Sequence, residues 1–66
     1  MKLYIHQTDH GPIVCESARA AKAAVYEYYN VDPVAEAATW QSIDNQLVLS
    51  VRYRMVLARV YIEEVG

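Results

Sequence analysis

Between Ser17 and Tyr29 the chain reads S-A-R-A-A-K-A-A-V-Y-E-Y-Y, and no other stretch limits its fold so tightly. Alanine is the strongest helix former because it gives up no side-chain entropy, and it stands here at 18, 20, 21, 23 and 24. Ser17 is placed to cap the start, its hydroxyl accepting from an otherwise unpaired first-turn N–H. Asn30 can take the left-handed conformation that closes a helix, and Pro33 cannot continue one. Ala18, Ala21, Val25, Tyr28 and Tyr29 recur at helical spacing and predict one apolar face, with Arg19, Lys22, Tyr26 and Glu27 elsewhere around the helix. A helix this short is unstable alone in water, so the remaining chain must cover it.

The flanking segments supply that cover as strands. Leu3 and Ile5 alternate with Lys2, Tyr4 and His6, and the expectation is that Leu3 and Ile5 turn inward while Tyr4 and His6 turn away from the helix. The turn formers of Gln7–Pro12 and the short run Ile13–Cys15 complete a hairpin leading into Ser17. After the helix, Val31 is expected to anchor against the core, and Asp32–Pro33 begins a loop or a single helical turn. Thr39–Ile43 reads as extended. A two-residue turn at Asp44–Asn45 would set Ser42 opposite Leu47, Trp40 opposite Leu49 and Ala38 opposite Val51, placing the apolar members on one face.

From Leu47 to Met55 the odd positions are apolar, and from Val56 to Ile62 the even ones. That switch requires a turn or bulge near Arg52–Met55 between strands at roughly 46–52 and 56–64. The alternative is one long helix over 44–65, with Leu47, Val51, Met55, Ala58, Ile62 and Val65 on a stripe. Strands are preferred because Val and Tyr dominate the segment and Leu49, Val56, Leu57 and Val60 would fall outside that stripe. The fold expected is a single α+β domain over 1–66. One helix packs on one face of a small, mainly antiparallel sheet, in the order β-β-α-β-β-β.

Composition narrows the function. A chain of 66 residues buries limited surface, which favours oligomerisation or partner binding, so a monomer or homodimer is expected. The net charge of −2 gives no bulk attraction to nucleic acid or to an anionic membrane, and no apolar run is long enough to span a bilayer. The single cysteine, Cys15, and a start unlike a signal peptide suggest a cytoplasmic protein.

His6, Asp9, His10 and Cys15 are the metal-capable residues, but their spacing matches no zinc pattern, so neither a metal nor another cofactor is expected. Cys15 with His6 or His10 lacks an orienting group and an oxyanion hole, and no phosphate loop or carboxylate pair is present. The chain is therefore read as non-enzymatic.

Six tyrosines and one tryptophan with no phenylalanine suit half-buried edges and interfaces, since the phenol keeps a polar tip. Tyr26, Glu27 and Tyr29 on the helix, Asp32 and Glu36 beyond it, and Tyr4 and Tyr61 on strands are the candidate protein-binding residues. Arg52, Arg54 and Arg59, interleaved with Tyr53 and Tyr61, are the alternative: a strand surface for RNA or DNA, with Arg52 and Arg54 on one face. A structural homo-oligomer is a third reading, because a one-layer sheet leaves a face uncovered.

In size and architecture the chain resembles the small proteins encoded by phages and mobile elements, among them anti-CRISPR inhibitors. The resemblance implies a non-enzymatic protein that binds a host defence complex and occludes its nucleic-acid groove or nuclease. Asp32, Glu36, Asp44, Glu63 and Glu64 would then be the residues facing a basic groove.

Overall fold

A computed structural model describes residues 1–66. The chain runs β1 (Lys2–Thr8), β2 (Gly11–Cys15), α1 (Ala18–Tyr29), β3 (Thr39–Ile43), β4 (Gln46–Val51) and β5 (Met55–Glu64). The strands form one antiparallel sheet in the order β2-β1-β5-β4-β3. The fold is thus α+β, with a single helix on a five-stranded sheet. The first and last strands lie side by side at its centre. β2 and β3 form the two edges, and the helix with its following loop carries the chain from one edge to the other.

Local chemistry sets the ends of α1. The Ser17 hydroxyl accepts from the Ala20 amide at 3.1 Å. Asn30 is left-handed, with φ 55° and ψ 48°, and the Asn30 and Val31 amides donate to the carbonyls of Glu27 and Tyr26. These bonds satisfy groups that a helix end would otherwise leave unpaired. Val31 packs against the core beyond the cap, as expected. Asp32 Oδ1 accepts from the amides of Val34 and Ala35, closing a single turn over residues 33–37.

The C-terminal third is two strands, and the long helix over 44–65 does not form. Arg52–Arg54 makes the turn, and a bulge follows where Leu49 pairs with Ala58 but Ser50 pairs with Val56. The turn and the extra residue, Leu57, together account for the change of parity. Ser42 lies opposite Leu47 and Trp40 opposite Leu49 across the Asp44–Asn45 turn.

The core joins Ala21 and Val25 of α1 to Leu47, Leu49, Val51, Ala58 and Val60 of the sheet. Leu49, Val25 and Val60 are fully buried, each contributing about 1.5–3 kcal/mol on leaving water. The two small alanines, Ala18 and Ala21, bring the first half of the helix against the sheet.

Two assignments of facing differ from expectation. In β1 it is Tyr4 and His6, not Leu3 and Ile5, that face the helix. Tyr4 pairs with Cys15 and Ile62, which pack on the core as Tyr4 does, and His6 is buried. Ile5 pairs with Val14 and Tyr61 on the opposite face. The register against two neighbours decides which alternate set turns inward, and moving it by one residue would reverse the set. On α1, Tyr26 joins the core side while Tyr28 is exposed.

Candidate functional site: two polar ties, an open sheet face and an arginine hairpin

His6 stands where β1 and β5 part. The two strands pair from Lys2–Glu64 to Ile5–Tyr61 and no further, although β1 continues to Thr8 and β5 begins at Met55. In place of the next rung, His6 Nδ1 donates to the Arg59 carbonyl at 2.9 Å. A carbonyl can only accept, so Nδ1 carries the proton. Nε2 of the neutral ring then accepts from the Tyr29 hydroxyl at 2.8 Å. One imidazole thereby ties β1, β5 and α1 together. Tyr28 and Tyr29 pack edge-on against it and against each other. The Tyr29 phenol is pushed above its ordinary pKa, first by burial and then by Tyr28 and Asp9.

A second tie lies toward the far edge. Trp40 Nε1 donates to the Tyr26 hydroxyl at 2.7 Å, with the rings edge to face. Lys22 Nζ sits 5.5 Å from the centre of the Trp40 ring.

These ties account for Tyr26 and Tyr29 within the fold. Of the other candidate residues, Tyr4 packs on the core, whereas Glu27 is exposed. Asp32 is occupied in capping a turn, and Glu36 pairs with Arg52 at 3.6 Å. Tyr61 leaves its strand away from the helix and is 46% exposed. Asp44 sits in the β3–β4 turn, Glu63 is exposed on β5, and Glu64 pairs with the chain amino terminus at 3.5 Å. The acidic residues therefore do not converge. Neither do metal ligands: no group of three or more His, Cys, Asp or Glu is placed to hold an ion. His6 is buried, whereas His10 is exposed in the turn after β1.

The sheet face opposite α1 has no covering layer. Register and alternation put Leu3, Ile5, Val14, Ile43, Val48 and Tyr61 on it. Val48 is buried between its cross-strand partners Gln41 and Arg59, while Val14 is 52% and Ile43 48% exposed. Sequence alternation predicts a polar-aromatic open face, and the inversion of β1 instead adds Leu3 and Ile5 to it, beside the polar Gln41, Gln46, Arg59 and Glu63. The apolar pair Leu3 and Ile5 within β1 signals the wrong side, and the pairing decides the facing.

Arg52 and Arg54 do not share a strand face. They lie with Tyr53 in the turn between β4 and β5, ahead of Arg59 on β5. Arg52 and Tyr53 both take left-handed backbone, at φ 51° and 76°, which is unfavourable for bulky L-residues. The turn is anchored by the Arg52 amide, which donates to the Glu36 carbonyl at 2.7 Å, and by the Arg52–Glu36 pair. Tyr53 is left 87% exposed at the tip. Arg59 reaches only Gln46, at 3.4 Å.

No helix is long and apolar enough to cross a membrane. No family model, curated protein or solved structure matches this chain.

Proposed function

We propose that this protein is a non-enzymatic protein-binding module that docks through the uncovered face of its sheet. The observation that carries this reading is the cross-strand apolar row Val14, Ile5 and Tyr61, with Leu3 beside it, on the face away from α1. A second layer would normally cover such a face, and contiguous exposed apolar surface on a small protein marks an interaction site. In its specific form, taken from the resemblance in size and architecture to small phage-encoded inhibitors, the partner is a host defence complex of the CRISPR-Cas kind, blocked by occlusion.

The test is a pull-down from host lysate with the native chain and with Ile5→Lys/Tyr61→Lys, after circular dichroism has shown both to be folded. A partner captured by the first and lost by the second supports the reading. Capture that survives the double substitution overturns it. The alternative regulator reading rests on Tyr53 standing exposed between two arginines. It requires RNA or DNA binding that falls steeply with salt and is lost in Arg52→Glu/Arg54→Glu. That result would replace the protein-binding reading.

A further inference from the structure

We infer that the split between β1 and β5 is a second binding site, one that takes an extended acidic peptide as an added strand on β5. This site uses a backbone edge rather than the sheet face above, with which it shares Tyr61. β5 is a strand from Met55, yet on its β1 side no strand accompanies it before Tyr61. β1 runs on to Thr8 in register with β2 but makes no pair with β5 beyond Ile5. The resulting groove has a volume of about 290 Å³ and is lined by His6, Gln7, Val56, Leu57, Arg59 and Tyr61. Its closed end is built rather than frayed: His6 is buried and hydrogen-bonded through both ring nitrogens.

An unaccompanied strand edge is a template for main-chain pairing, and the side chains of an added strand then read the two faces alternately. Residues 55–59 present about 17 Å of edge, room for a five-residue segment that shares the Arg59 carbonyl with His6. Charge selects the occupant. No acidic residue occurs from Gln46 to Ile62, whereas Arg52, Arg54 and Arg59 all do. Arg52 is neutralised by Glu36, but Arg54 and Arg59 have no carboxylate partner. A residue opposite Arg59 on the added strand would share its face, so acidic side chains belong there. The intervening positions would point toward His6 and favour apolar side chains. A second copy of this chain fits poorly, since its own β5 edge carries the same arginines.

The experiment is an amide chemical-shift titration of the folded chain with an acetylated, amidated pentapeptide alternating Glu and Val. The same peptide with Lys in place of Glu is the control. Saturable shifts centred on His6 and Val56–Arg59 are expected with the Glu peptide. Affinity should fall about tenfold in Arg59→Glu, and independently in Arg54→Glu, two exposed positions outside the core. Equal binding of the Lys peptide, shifts confined to Val14 and Ile43, or no shifts at millimolar peptide would each overturn the inference. Such a failure leaves the sheet-face reading intact, because Ile5 does not line the groove and Ile5→Lys alone tests the sheet face in the pull-down.

Discussion

The Tyr29 hydroxyl and His6 Nε2 stand 2.8 Å apart although 23 residues separate them in the chain. Through that bond the last turn of α1 is tied to the point at which β1 leaves β5. His6 is the one buried polar residue, and no buried side-chain nitrogen or oxygen is left without a partner. Burying an imidazole is tolerable only when both nitrogens are satisfied, as they are here.

Tyr29→Phe removes the donor to Nε2 while keeping the ring. It is expected to destabilise the fold by about 1–3 kcal/mol, the cost of an unpaired buried polar atom. Urea unfolding would measure this as a lower midpoint with an unchanged slope. An unchanged midpoint would show that the tie contributes nothing.

The raised pKa of Tyr29 gives stability a dependence on alkaline pH. The folded chain holds the phenol proton where the unfolded chain has lost it. The contribution is therefore complete below the ordinary tyrosine pKa of about 10 and is lost as pH rises through the higher folded value. Tyr29→Phe should flatten stability against pH above about 10 relative to the native chain. In absorbance titration it should also remove a phenol that ionises above the ordinary tyrosine value. Identical alkaline profiles for the two proteins would contradict the assignment.

Leu49 is fully buried at the centre of β4. Leu49→Ala should cost about 2–5 kcal/mol. A chain of 66 residues is worth only about 3–10 kcal/mol in total at typical stability per residue. The variant should therefore be partly or wholly unfolded at 37 °C by circular dichroism. Ile43→Ala, on the exposed face, should stay within about 1 kcal/mol of the native chain.

Tyr53→Gly should leave stability unchanged or raise it by up to about 1 kcal/mol. Relief of a left-handed backbone, worth about 1–2 kcal/mol, outweighs the added freedom of glycine in the unfolded chain. Thermal unfolding would measure the gain. A clear loss would mean that the Tyr53 side chain packs in a way its 87% exposure does not indicate.

Tyr26→Phe leaves Trp40 Nε1 without its acceptor. A loss of about 1 kcal/mol is expected, because Trp40 is only half-buried and water can replace the hydroxyl. Fluorescence is a direct readout, since Trp40 is the only tryptophan. Its emission should move to longer wavelength as the indole becomes more solvated.

Some features of this protein are written within a few neighbouring residues. Ser17, the alanine run and Asn30 define α1, because caps and propensity act within a single turn. Asp44–Asn45 and the alternation around it define the β3–β4 register, because a short turn leaves little freedom. The reversed parity after Met55 announces the bulge for the same reason. Tertiary structure alone decided which side of β1 is buried. Leu3 and Ile5 look like core residues, yet pairing with both Cys15 and Ile62 turns Tyr4 inward, and Tyr29 supplies the bond that lets His6 follow. It also decided that Arg52 and Arg54 occupy a turn, and that β1 and β5 separate beyond Ile5 to leave an edge open. Each of these depends on contacts between residues far apart in the chain. Local alternation is the same for either facing, and the surrounding strands and helix choose between them.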